Sequence, residues 1–231
     1  MWLNQPQVTA AALRSYRKAL LSSSPNHVVI DNLFAGSKLD EVCRILQLDN
    51  CWQTQQHSYA ALYVDNTTWQ KTRQSQRFVQ RDVWQRPAPN RNGHPANIAA
   101  EFLSFLRGNE FMALLSSIFK TPLTDINVAE PDINSNYFRL SATDFVKQHA
   151  DDSPGREVCM LLYLNKDWQS NDGGELVFIG KDNNPVTIAP LYNRCVLFNP
   201  ASPGSEHLVK AVTTENTGQY RYNVTSWYWS E

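Results

Sequence analysis

After residue 135 the chain falls into short apolar runs separated by turn residues: NYFRL, EVCMLLYL, GELVFI, PVTIAP, NRCVLF, HLVKAV and YRYNVTSWYW. Runs of this length and spacing read as strands, and their succession predicts a sandwich or jelly roll. The turn SNDGG ahead of ELVFI reads as a hairpin, because Asp-Gly and Gly-Gly accept the positive φ that tight hairpins need. The earlier residues have a different texture. Apolar spacing of three and four predicts helices over about 7–22, 95–107 and 109–120, and another opened by Ser37 with Asp40 as its capping-box partner. HVVIDNLF reads as a strand between the first two helices. The expected fold class is α+β, mainly β, in one domain over 1–231, with 1–135 as helical support and first strands.

Charge narrows the classes of partner. A net charge of −1 argues against a nucleic-acid-coating or membrane-seeking surface. No apolar run reaches the ~18 residues that a bilayer span requires, and the N-terminus reads as an amphipathic helix carrying Arg14, Arg17 and Lys18 rather than as a secretion signal. Cys43, Cys51, Cys159 and Cys195 lack C-x-x-C spacing and are expected as buried, reduced thiols. A soluble, cytoplasmic protein is therefore expected. One segment departs from the overall balance: Lys71, Arg73, Arg77, Arg81, Arg86 and Arg91 face Asp82 alone between 71 and 91. It reads as a solvated edge and loop, or as a grip for an acidic or extended partner.

The stretch DFVKQHADDSP supplies the chemistry. In an extended chain residues i and i+2 share a face, so His149 and Asp151 converge on one point. The β-rich half holds one more histidine, His207. Two imidazoles and a carboxylate on one face of iron form a facial triad that leaves coordination positions open, whereas a structural zinc site would close its sphere with four ligands. Arg221, fourteen residues after His207, enters the last strand and offers a guanidinium for a carboxylate. Alternation places Asn223, Thr225 and Trp227 on its face. Tyr163 adds a hydroxyl.

The runs YLNKDW, GGELVF, PLYNRCVLF, SEHLVKAV and RYNVTSWYW resemble the catalytic half of the iron(II)/2-oxoglutarate-dependent dioxygenases, in their prolyl 4-hydroxylase-like branch, over about residues 137–229. The resemblance implies a double-stranded β-helix core over 136–231. It implies His149, Asp151 and His207 as catalytic metal ligands and Arg221 and Tyr163 at the distal carboxylate of 2-oxoglutarate; Thr225 and Trp227, on the face of Arg221 by alternation, are expected to line the same pocket. Fe(II), 2-oxoglutarate and O2 follow as cofactor and cosubstrates, with ascorbate as an optional accessory. The reaction implied is C–H hydroxylation, of a prolyl residue in a protein or peptide in the first instance. A free amino acid or small metabolite is the alternative substrate. A non-catalytic β-helix binding module and a hydrolytic zinc site are the alternative functions.

Two departures stand out. A tyrosine that touches 2-oxoglutarate in that branch often lies about ten residues before the first metal histidine, where this chain has Arg139, with Tyr137 just before. The interval from His207 to Arg221 is also long, which brings in Lys210 as a competing carboxylate partner.

Overall fold

The computed structural model describes residues 1–48, 50–128, 130–213 and 220–230, with Asp132 described by its backbone alone. The first half contributes α1 (Ala10–Ser22), β1 (His27–Asp31), α2 (Gly36–Leu48), β2 (Trp52–Ser58), α3 (Asn66–Lys71), β3 (Arg77–Trp84), α4 (Ile98–Leu106) and α5 (Asn109–Phe119). The second half is built of β4 (Ser135–Leu140), β5 (Phe145–His149), β6 (Arg156–Tyr163), β7 (Leu176–Phe178), β8 (Val186–Ile188), β9 (Arg194–Phe198), β10 (His207–Val209) and β11 (Arg221–Trp229). Every pairing among these strands is antiparallel, in the order β1-β9-β6-β11-β4-β3-β5-β10-β7-β8, with β2 on β3. The sheet curls because β3 is shared: Asp82 and Val83 pair with β4, while Val79 and Gln80 pair with β5. The result is a jelly roll, a long sheet folded over a short one.

Period-two alternation decides which side chains meet the helices and which face the interior of the roll. On β6, Val158, Met160 and Leu162 join the helical core, while Cys159, Leu161 and Tyr163 point between the sheets. β9 divides likewise, with Cys195 and Leu197 outward and Val196 and Phe198 inward. Against the outer face lie the apolar stripes of α4 and α5, including Phe102, Leu106, Phe111, Leu115 and Ile118, all fully buried. Burial of each such side chain contributes roughly 1.5–3 kcal/mol. Two tyrosines tie sheet to helix: Tyr137 donates to the carbonyl of Ala99 at 2.9 Å and Tyr228 to that of Leu106 at 3.1 Å.

Four local expectations are corrected. SNDGG is not a hairpin, because β6 and β7 on either side of it do not pair; β7 pairs with β8 and β10. Gly173 and Gly174 do adopt φ of +70° and +77°, but in a crossover between the sheets, so the glycines supply conformation without register. The capping box at Ser37 and Asp40 does not form either. α2 begins at Gly36, the Leu39 N–H bonds the Ala35 carbonyl, and the Asp40 carboxylate is engaged by Lys166 at 2.8 Å and by Tyr192. Segment 71–91 is in its middle the strand β3 rather than a loop, with Arg77 tied to the carbonyls of Trp69 and Thr72. Finally, Cys51 is exposed while Cys43, Cys159 and Cys195 are buried; all four are free thiols.

Candidate metal centre

His149 ends β5 and His207 opens β10, and the two are directly opposed in the antiparallel pairing of these strands. That register brings the imidazole centroids to 4.4 Å. Asp151 lies just past the end of β5. Its Oδ1 is 3.5 Å from His149 Nε2 and its Oδ2 is 3.9 Å from His207 Nε2. The three side chains offer ligand atoms all within 4.8 Å of one another.

Neighbours orient each of these groups. The Nδ1–H of His149 donates to the Lys147 carbonyl at 2.9 Å and that of His207 to the Ser205 carbonyl at 3.0 Å. Both Nε2 lone pairs are thereby left to converge beside Asp151, as metal ligation by neutral imidazole requires. Burial lowers the His207 pKa to about 4, aided by the proximity of His149, so the ring is neutral at pH 7. For Asp151 burial works upward, but the closeness of His149 and His207 and the indole N–H of Trp227 outweigh it and hold the carboxyl well below its usual range. The Trp227 Nε1–H donates to Oδ2 at 3.0 Å, and Arg156 donates to the Asp151 main-chain carbonyl.

The cluster opens into a cavity of about 690 Å³ bounded by both sheets. Arg221, Asn223, Thr225 and Trp227, alternate residues of β11, line it. Arg221 is 4% exposed. Its Nε donates to the Gly174 carbonyl at 2.7 Å and its Nη1 to Asn223 Oδ1 at 2.7 Å, and Asn223 in turn donates to Thr225 Oγ1 at 2.9 Å. The guanidinium is thus held in a fixed pose, with Nη2 buried and lacking an acceptor. The Tyr163 hydroxyl is also buried without a partner, and the guanidinium carbon lies 4.9 Å from the Tyr163 ring centroid. Burial pushes the Tyr163 pKa up to about 12 against the pull of Arg221, so the phenol keeps its proton. A buried donor left unpaired costs about 1–3 kcal/mol, and two neighbouring ones fit an incoming carboxylate.

His149, Asp151, His207, Arg221, Thr225 and Trp227 therefore all line one cavity. Tyr163 belongs to the apolar cluster between the sheets and meets Arg221 from beside it. Trp227 reaches Asp151 rather than the end occupied by Arg221. Lys210 pairs instead with Glu175 at 3.3 Å. Tyr137 and Arg139 face away from the cavity: Tyr137 is bonded to α4, and Arg139 pairs with Asp82 at 2.9 Å. Two lining residues, His57 and Arg81, lie outside the β-rich half and were not among the expected site residues. The alternation Val79, Arg81 along β3 is the signal that would have placed Arg81 inside.

A family model described as the 2OG-Fe(II) oxygenase superfamily matches residues 135–229. Those residues, less than half of the chain, are similar to that superfamily. The similarity implies Fe(II), 2-oxoglutarate and O2, and the His-Asp-His donor set with its open side toward the cavity fits Fe(II). The chain is 29% identical over 126 residues to prolyl 3-hydroxylase OGFOD1 of Mus musculus, a match that takes in 52% of this chain and 22% of that protein. It thus spans little more than a fifth of that relative's length. Among solved structures, a prolyl-4-hydroxylase of Pseudomonas putida superposes with a TM-score of 0.63 at 16% identity, covering 95% of this chain and 99% of that one. A Trichoplax adhaerens prolyl hydroxylase, in complex with a hypoxia inducible factor peptide, superposes with a TM-score of 0.62 at 20% identity over 96% and 94% of the two chains. These two share the jelly-roll fold. Among the described residues, no helix is long and apolar enough to cross a membrane.

Proposed function

We propose that this chain is an Fe(II)/2-oxoglutarate-dependent oxygenase that hydroxylates a prolyl residue of a protein or peptide, acting as a single domain. The observation that carries the reading is a pair of buried, unpartnered donors: Arg221 Nη2, on a residue that lines the cavity of the three-ligand cluster, and the hydroxyl of Tyr163, which packs against Arg221 from beside that cavity. His149 Nε2, Asp151 and His207 Nε2 would hold the metal; Arg221 and Tyr163 would hold the distal carboxylate of 2-oxoglutarate. Asn223 and Thr225 keep the guanidinium in place, and Trp227 keeps Asp151 turned toward the metal. Together bound Fe(II), 2-oxoglutarate and O2 supply the oxidising power to convert a C–H bond to C–OH, with release of succinate and CO2. The protein's share is ligation, positioning and exclusion of water.

A peptide substrate is favoured by the mouth of the cavity. Tyr59, Leu62, Tyr63 and Ile133 line it and yet remain exposed, an apolar rim suited to a chain lying across the opening. The names of the similar proteins point the same way, toward prolyl hydroxylation. Four free thiols suit a reducing, cytoplasmic setting.

Titrating 2-oxoglutarate into the anaerobic Fe(II) protein and following the metal-to-ligand absorption band tests the reading. Arg221→Ala is expected to weaken 2-oxoglutarate binding by roughly 2–5 kcal/mol, about thirty-fold to several thousand-fold, while metal binding survives. Absence of the band in the wild type would refute the assignment.

A further inference from the structure

The wall formed by β2 and β3 carries two polar groups that the metal cluster and Arg221 leave unused. In their register Gln55 opposes Arg81 and His57 opposes Val79, so His57 and Arg81 are diagonal neighbours on one face. Both line the cavity of the metal cluster. Arg81 Nε donates to Gln55 Oε1 at 3.2 Å, and its guanidinium carbon lies 3.4 Å from the centroid of the Phe138 ring. The terminal nitrogens of Arg81 find no hydrogen-bond acceptor, and its charge no salt-bridge partner, among the described residues. His57 is 6% exposed. Its Nδ1 accepts from the Tyr63 N–H at 3.3 Å, which places the ring hydrogen on Nε2; that nitrogen is buried and has no acceptor. A buried N–H without an acceptor, beside a cation that makes no salt bridge and whose attracting carboxylate, Asp151, belongs to the metal cluster, calls for an anionic oxygen ligand.

Charge balance indicates which molecule brings it. On the oxygenase reading, the charges of Fe(II) and Arg221 are matched by Asp151 and the two carboxylates of 2-oxoglutarate. Asp152 and Arg156, also in the wall, cancel in the count. Arg81 is left over. We propose that Arg81, with the Nε2–H of His57 beside it, is a specificity-determining residue that binds a carboxylate of the primary substrate. The proposal rests on the oxygenase reading and extends it from the cosubstrate to the substrate. The carboxylate has two possible sources, an acidic side chain next to the target residue in a peptide or the free carboxylate of a small acid.

Calorimetric titration of the protein loaded with Mn(II) and 2-oxoglutarate tests this with three matched pairs of probes. These are end-capped proline peptides with Asp or Asn beside the proline, uncapped or amidated peptides of neutral sequence, and L-proline or prolinamide. In the wild type the acid member of one pair is expected to bind about ten- to a hundredfold more tightly than its amide, and the pair that discriminates identifies the source. Arg81→Gln should bring that ratio to about one, as expected when the charged partner is removed. Arg81→Lys should retain part of it, and carries the test should the Gln variant not fold. Binding of 2-oxoglutarate should be unchanged in both variants. The proposal is overturned if the wild type shows no acid preference in any pair, if the preference survives intact in Arg81→Gln and Arg81→Lys, or if 2-oxoglutarate affinity falls as far as substrate affinity. Failure of the wild type to bind 2-oxoglutarate would overturn both readings, whereas intact cosubstrate binding without acid preference would overturn this one alone.

Discussion

Asp151 reaches out from beyond its strand, and its direction depends on one indole. The Trp227 Nε1–H holds Oδ2, which leaves Oδ1 nearer to His149. Loss of such a partner typically weakens metal affinity by about ten- to a hundredfold, and Trp227→Phe is expected to do so with fold and cavity retained. Competition of the Fe(II) protein with a chelator would measure it; unchanged affinity would show that Arg156, through the Asp151 carbonyl, suffices to hold the turn. At this scale the sequence was informative where spacing is short. His149 and Asp151, two positions apart, come together at the end of β5, although Asp151 lies past the strand itself, and Arg221, Asn223, Thr225 and Trp227 share a face by the period of β11. His57 was hidden because the seven residues of β2, WQTQQHS, show no apolar alternation, and its place depends on pairing with β3.

At the scale of elements, the crossover from β6 to β7 positions Arg221 as much as β11 does. A Cβ on Gly174 would lie 2.8 Å from Arg221 Cδ, at a φ of +77° that side chains rarely adopt. Gly174→Ala is therefore expected to push the Arg221 stem aside and weaken 2-oxoglutarate binding, while Fe(II) binding persists. At Gly173 the added Cβ would fall 1.9 Å from the backbone carbonyl oxygen of Ala211, which has no flexible end to move. Gly173→Ala should therefore destabilise the fold itself, lowering the denaturation midpoint, whereas a Gly174 variant with wild-type cosubstrate affinity would dissociate the crossover from the site. The sequence marked both glycines as special but assigned them to the wrong partner. Asp-Gly-Gly reports a backbone that must adopt positive φ; it carries no information on which strand comes next. The strands themselves were legible because their runs alternate or are fully apolar. β3 was obscured by its charges, which its two faces direct to partners rather than to water, Arg81 to Gln55 and Asp82 to Arg139.

For the whole molecule, the same neutral imidazoles that suit metal binding make the metal-free protein sensitive to acid. Burial lowers the pKa of both His57 and His207 to about 4 from the ordinary 6.5, helped at His57 by Arg81 and at both by His149. In the unfolded chain these rings take up protons as pH falls through 6.5, whereas in the fold they resist until about 4. Between those limits the unfolded state binds more protons, so stability falls as the pH is lowered and is fully present above 6.5. Each group contributes a slope of at most about 1.4 kcal/mol per pH unit. Denaturant unfolding of the chelator-treated protein at several pH values between 4 and 7 is expected to show this loss, and His57→Phe to remove roughly half of it. Bound Fe(II) should make the loss steeper, because protons then compete with the metal for His149 and His207 as well as for the unfolded chain. A metal-free protein equally stable at pH 5 and pH 7 would mean that these rings are solvated in solution, and the dry wall around His57 would have to be redrawn.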